Sequence, residues 1–196
     1  MLTLDGSAGE GGGQVLRTAL ALSMVTGRSF EIVKIRARRP IPGLRPQHLA
    51  AVRAATLVSG AKVGGAFEGS PDLRFEPGPI ASGDYRFEIS TAGSASLVLQ
   101  TVLPPLATAA GPSRVEVSGG THVTASPSFE FLARNWAGAM ARMGLDAHCA
   151  ASTAEAYALL ASNSYDLCLT DMRLPDGDGL TVVDHVVKHY PQLPVA

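Results

Sequence analysis

Cysteine is nearly absent from the 196 residues, with Cys149 and Cys168 the only two. A single pair cannot build a disulfide framework, and its spacing matches neither a metal-ligand nor a redox motif, so a reduced, cytoplasmic setting is expected. Charge is also sparse, at 17% of residues against 46% hydrophobic ones, which excludes a long charged disordered tail. Long apolar runs are missing. The most apolar stretch, Ser96 to Ala110, is interrupted by Gln100, Pro104 and Pro105, and the opening Met1-Leu2-Thr3-Leu4-Asp5 has no basic segment leading into an apolar one. Neither a membrane span nor an export signal is expected.

A surplus of either charge is lacking too, because 16 Lys+Arg face 17 Asp+Glu for a net of −1. The sum hides an uneven distribution. Residues 1–149 carry 14 basic and 11 acidic side chains, whereas residues 150–196 carry 2 and 6. Such asymmetry points to two segments of different character.

What is present is a repeated order of elements. Leu2–Leu4 reads as a strand, and Val15, Leu16, Ala19, Leu20 and Leu22 follow at helical spacing up to Gly27. Phe30–Ile35 is a second strand. Gln47–Ser59, entered through Pro46 and ended by Gly60, is a second helix, and Lys62–Phe67 with Leu73–Phe75 forms a closing hairpin. This β-α-β-α-β-β unit is followed by strand Tyr85–Ile89, a helix near Ser96–Thr108 bent or shortened at Pro104-Pro105, strand Arg114–Val117 and helix Phe129–Met143. The style then changes. Thr153–Leu160 is a helix capped by Ser152, Leu167–Thr170 a buried strand, Leu180–His189 a helix, and 194–196 the start of another strand.

Two stretches suggest chemistry. From Asp5 to Gln14 a glycine run joins a strand to a helix, where successive amides either form an anion-binding nest or merely a flexible turn; no P-loop or dinucleotide spacing is present. Between Arg28 and Arg53, seven basic residues (Arg28, Lys34, Arg36, Arg38, Arg39, Arg45 and Arg53) face the lone acid Glu31. Arginine forks suit phosphate, although a solvated basic face would look the same.

Four ordered motifs carry a resemblance. They are Asp5-Gly-Ser-Ala-Gly-Glu-Gly-Gly-Gly-Gln-Val-Leu-Arg17, Ile35-Arg-Ala-Arg-Arg-Pro-Ile-Pro-Gly-Leu-Arg-Pro-Gln-His-Leu49, Thr91 to Gln100, and Gly119-Gly-Thr-His122. Over residues 1 to about 144 the chain resembles RNA 3'-terminal phosphate cyclases, a family of the ATP-dependent ligase class. The resemblance implies an α/β (α+β) fold of tandem β-α-β-α-β-β units like the C-terminal domain of translation initiation factor 3. It also implies a reaction in which ATP and a divalent metal (Mg or Mn) adenylylate an enzyme histidine. AMP then passes to an RNA 3'-phosphate, and the neighbouring hydroxyl closes a 2',3'-cyclic phosphate. Carried over by position, Glu10 holds the metal, Arg17, Arg36, Arg39, Gln47 and His48 line the phosphate or RNA-end site, and Gln100 and Pro127 lie against ATP. None of His48, His122, His148, His185 and His189 stands in the family's histidine motif, so the adenylylated residue is absent and no cyclisation is expected.

From about residue 142, with Tyr165-Asp-Leu-Cys-Leu-Thr-Asp-Met-Arg-Leu-Pro-Asp-Gly-Asp-Gly179 as the strongest stretch, the chain resembles a partial response-regulator receiver domain. That resemblance makes Asp171 the phosphoacceptor, with little phosphorylation expected without the acidic pair of a first strand. The expected division is residues 1–82 and 83–145 as two cyclase-like units, the second incomplete, and 146–196 as the receiver segment. Expected partners are RNA 3'-phosphate ends, no membrane, and other copies of the chain through open sheet edges. The alternative functions are a signalling receiver fragment or a chimeric fragment without selected function.

Overall fold

Short β-branched and aromatic segments, each stopped by glycine or a charged turn, alternate with alanine- and leucine-rich stretches in the first 118 residues. The computed structural model describes residues 1–9, 12–89, 94–118, 148, 150, 152–165, 168, 170, 173–174, 176–193 and 195. The expected order holds in the first unit: β1 (Leu2–Asp5), α1 (Gly13–Thr26), β2 (Phe30–Val33), α2 (Pro46–Ser59), β3 (Lys62–Gly64) and β4 (Leu73–Glu76). These strands form one sheet in the order β1-β2-β4-β3. β1 runs parallel to β2, while β4 is antiparallel to both β2 and β3.

β5 (Asp84–Glu88), α3 (Ala95–Leu106) and β6 (Arg114–Ser118) follow, with β5 and β6 pairing in parallel. α1, α2 and α3 pack on one another. Their buried faces join both sheets in one core: Leu16 and Leu20 from α1, Val52 and Val58 from α2, and Val98 and Val102 from α3 are each at most 2% exposed. Phe75 is fully buried and packs against Phe30 with ring centroids 5.8 Å apart, and removing a ring of that size from water contributes about 1.5–3 kcal/mol to the fold.

Most element ends shift by a residue or two from the sequence reading, and three of the shifts have a visible physical cause. β2 stops at Val33 because Lys34 turns into the left-handed region, and β3 stops at Gly64 because Gly65 does the same. α3 runs through Pro104-Pro105 and ends at Leu106, short of the expected Thr108. Each proline removes an N–H bond to the preceding turn and crowds the carbonyl four residues back, and burial of Val102, Pro105 and Leu106 offsets that cost in this last turn of the helix.

A second, smaller cluster lies in the C-terminal segment. α4 (Thr153–Ser162) and α5 (Gly179–His189) bury Leu160, Val182 and Val186 between them, with the short hairpin β7 (Arg173–Leu174) and β8 (Gly177–Asp178) alongside. Ser152 caps α4 as expected, accepting from Glu155 N at 3.1 Å. Asp176 adds a second cap from the hairpin, accepting from Thr153 N and Oγ1 at 2.8 Å and from Ala154 N at 3.1 Å. These bonds hold the Asp176 carboxyl below its ordinary pKa. Of the two expected strands in this segment, the described residues show the parallel bridge between Cys168 and Val195. The helix expected at Phe129–Met143 lies outside the described residues.

Candidate functional site

The glycine run is less open to an anion than its composition suggests. Gly6 N donates to Val33 O, Ser7 N and Oγ donate to Asp5 Oδ1, and Ala8 N donates to Asp5 O. At the α1 N-terminus Gly12 makes no side-chain cap bond and the first turn holds no acid, which leaves that end of the helix suited to an anion. Asp5, held below its usual pKa by the Ser7 bonds, is committed to the turn.

The basic loop between β2 and α2 is bent twice at cost. Lys34 and Arg36 have φ of 57° and 56°, a region that side-chain-bearing residues rarely adopt. Surrounding bonds impose it. Ile35 N donates to Pro71 O (2.7 Å), Gly43 N to Ile35 O (2.8 Å), Leu44 N to Ser70 O (3.0 Å) and Gly69 N to Leu44 O (2.8 Å), tying this loop to the β3–β4 hairpin loop. Gly43 itself lies so close to Gly69 that any Cβ there would strike its carbonyl. The result fixes Arg36 with one guanidinium nitrogen on Ile41 O at 3.3 Å and with its Nε buried and unpartnered.

α2 begins beneath that loop. His48, 6% exposed, accepts the Arg45 N–H on Nδ1 at 3.0 Å, which in the neutral ring leaves the proton on Nε2. Burial, followed by the charges of Arg36, Arg17 and Arg45, pushes its pKa down to about 4. At neutral pH His48 is therefore a fixed N–H donor and not a cation. Its Nε2 and Arg17 Nη1 both lie over the Gly13 Cα, so that a Cβ at Gly13 would collide with them. Arg39 reaches the same helix start, close to the Gly12 Cα.

Arg17 connects this cluster to a cavity of about 300 Å³ between α1 and α3, lined by Arg17, Thr18, Ala21, Leu22, Gln100 and Pro104. Although only 9% exposed, Arg17 has no carboxylate partner among the described residues; its Nη2 donates to Gln14 Oε1 at 3.1 Å, and Gln14 Nε2 donates to Thr18 Oγ1 at 3.0 Å. Arg17 Nε and Gln100 Oε1 are buried without partners. Desolvation lowers the Arg17 pKa to about 10, so it stays charged at neutral pH. Arg36 is lowered as well, by desolvation and then by Arg39 and Arg45. Among the described residues no carboxylate pairs with Arg17 or Arg36, so the two guanidiniums, each with its Nε buried, leave room for an anion's charge.

Of the positions marked in the sequence, Arg17, Arg36, Arg39 and His48 thus converge at the start of α1, Gln47 sits half-buried beside His48, and Gln100 shares the cavity with Arg17. Glu10, Pro127 and Asp171 lie outside the described residues. Among the described residues no cluster of three or more His, Cys, Asp or Glu could hold a metal ion, and no helix is long and apolar enough to cross a membrane. The sequence reading held Gly13 and Gln14 only as part of the glycine run and gave neither a role of its own. The spacing of Gln14, Arg17 and Thr18 along one helical face was the available signal for Gln14.

Residues 8–158 match the family model for RNA 3'-terminal phosphate cyclase, and residues 130–196 match that for a response regulator receiver domain. The chain belongs to the RNA 3'-terminal phosphate cyclase family. Among its relatives, proteins named RNA 3'-terminal phosphate cyclase, it is 60% identical over 145 residues to that of Salmonella enteritidis, covering 74% of this chain and 43% of the relative. Against that of Ralstonia nicotianae the identity is 62% over 144 residues, covering 74% and 42%. Against that of Caldivirga maquilingensis it is 57% over 133 residues, covering 67% and 38%. The chain thus spans less than half the length of the curated relatives it matches.

Proposed function

We propose that this chain forms the phosphate- and nucleotide-holding part of an RNA 3'-terminal phosphate cyclase-type site, binding ATP and an RNA 3'-phosphate end. The observation that carries this reading is the pairing of orphaned groups. Arg17 Nε offers a buried donor and Gln100 Oε1 a buried acceptor in one cavity, and a nucleotide supplies both complements, phosphate oxygens for the first and an amino or hydroxyl hydrogen for the second. Arg36 and Arg39 then neutralise phosphate charge crowded at the α1 N-terminus, while His48 donates Nε2–H without changing charge on binding. Pro127 lies against the nucleotide in this reading. A divalent metal would be held by Glu10 together with phosphate oxygens, since the described carboxylates offer no site of their own.

None of the five histidines stands in the family's adenylylation motif, so these residues bind without transferring AMP to themselves. Titration with ATP by calorimetry tests the first statement. Wild type binds, whereas Arg17→Met binds at least tenfold more weakly; unchanged binding by the variant removes Arg17 from the site. For the second, incubation with ATP radiolabelled in its α-phosphate and with Mg²⁺ or Mn²⁺ yields no labelled protein band.

A second reading attaches to residues 130–196 through their receiver match, with Asp171 as phosphoacceptor. Acetyl phosphate followed by intact-mass measurement distinguishes it: an adduct present in wild type and missing from Asp171→Asn favours signalling.

A further inference from the structure

The smaller C-terminal cluster carries two histidines that the proposed site does not use. His185 and His189 stand four residues apart on α5, a spacing that puts both side chains on one helical face. Their ring centres lie 4.6 Å apart, with 38° between the planes. His185 also meets Tyr157 of α4, with ring centres 4.2 Å apart, and Tyr157 is itself held by its hydroxyl, which donates to Thr181 O at 3.2 Å. His185 is half-buried in this contact, while His189 is exposed. Val182 and Val186, on the buried face of the same helix, pack with Leu160 of α4 and hold the helix in place.

We propose that His185 and His189 together bind one divalent transition-metal ion, Cu²⁺ or Ni²⁺, with water completing its coordination. Imidazole suits these ions, and two histidines one helical turn apart can share a single ion. The spacing of the rings selects the kind of ion. A metal–nitrogen distance of about 2.0–2.1 Å puts the ion about 3.2 Å from each ring centre, so that two rings at a right angle have centres about 4.5 Å apart and two at the tetrahedral angle about 5.2 Å. The observed 4.6 Å fits the right angle, which belongs to the tetragonal geometry of Cu²⁺ and Ni²⁺ and not to tetrahedral Zn²⁺. Among the described residues no third His, Cys, Asp or Glu joins the pair, so the remaining positions go to water on the exposed His189 side. Because His185 already packs on Tyr157, less side-chain freedom is lost when the ion binds. An ion held by two successive turns of α5 binds only the formed helix and therefore stabilises it. The inference shares no residue with the phosphate-binding reading and does not depend on it.

The full chain, prepared without a histidine tag, is titrated with NiCl₂ by calorimetry, and backbone amide exchange is followed with and without Ni²⁺. Wild type binds Ni²⁺, whereas His185→Gln and His189→Gln each bind it about tenfold or more weakly, since even groups that merely orient a metal ligand are worth that much. Ni²⁺ slows exchange across α5 in wild type and in neither variant. Mg²⁺, which prefers oxygen ligands, leaves α5 exchange unchanged. His189 is exposed, so His189→Gln is expected to fold and carries the test by itself if His185→Gln does not. Equal Ni²⁺ affinity in wild type and His189→Gln, or α5 exchange indifferent to Ni²⁺ in wild type, overturns the site and leaves the two histidines as packing groups.

Discussion

His48 illustrates how a side chain's neighbours decide its chemical role. Its Nδ1 is occupied by a backbone N–H and its ring is buried among cations, so its folded pKa of about 4 lies below the ordinary 6.5. The unfolded chain therefore takes up a proton between pH 6.5 and 4 that the folded chain refuses. Stability is full above pH 6.5 and falls as the pH drops through that window, by about 3 kcal/mol from the depressed pKa alone. Urea unfolding of wild type against His48→Gln, measured across pH 7 to 4, is expected to show a steeper loss in wild type. Gly13 is the counterpart of this burial. Gly13→Ala places a methyl group against His48 Nε2 and Arg17 Nη1, and overpacking of this kind costs about 1–3 kcal/mol. Denaturation should read that loss, with weakened ATP binding alongside it because both displaced groups belong to the proposed site.

At the scale of elements, the β-α-β-α-β-β order was readable because each stretch shows its own hydrophobic period and a stop signal such as Gly27 or Gly60. The exact stops of β2 and α3 were not. Lys34 adopts a backbone conformation that its residue type disfavours, held by the bond of its own N–H to Asp72, 38 residues away, and of Ile35 N to Pro71 O, and no local pattern encodes that. Similarly, the motifs around Arg17, Arg36, Arg39 and His48 marked the site, and the bond from Arg45 N to His48 Nδ1 is local to the start of α2, but the seat of both His48 and Arg17 over Gly13 arises only when α1 meets α2. The strain makes a prediction of its own. Lys34→Gly relieves a left-handed side-chain-bearing residue and loses only a long, exposed contact to Asp5 at 3.8 Å, so stability should rise by up to about 1 kcal/mol in chemical denaturation. A fall would mean that the Lys34 side chain contributes more than its geometry indicates.

The whole molecule divides its burial unequally. The helices α1 to α3 and their two sheets share one continuous core, whereas α4 and α5 close over three fully buried side chains, Leu160, Val182 and Val186. Opening free energy follows buried apolar contact, so amide exchange in α4 and α5 should be faster than in α1 to α3 under native conditions. Adding ATP should slow exchange across α1 to α3 and leave α4 unaffected, because ligand stabilises the cooperative unit that must be folded to bind it and α4 packs in a separate cluster. Equal protection in both regions would indicate that the receiver-like segment does not open by itself. The acidic surplus of residues 150–196 and the basic surplus of the rest follow the same division.

The contact between Gly43 and Gly69 has a consequence for how this surface can vary. Two backbones meet there with no room for a side chain, so the length of the β3–β4 hairpin and the path of the arginine loop are a single inheritable unit. Grafting a longer hairpin would leave the Val63–Phe75 pairing untouched yet push Leu44 and, with it, the entry to α2. Reshaping this surface therefore requires exchange of both loops at once.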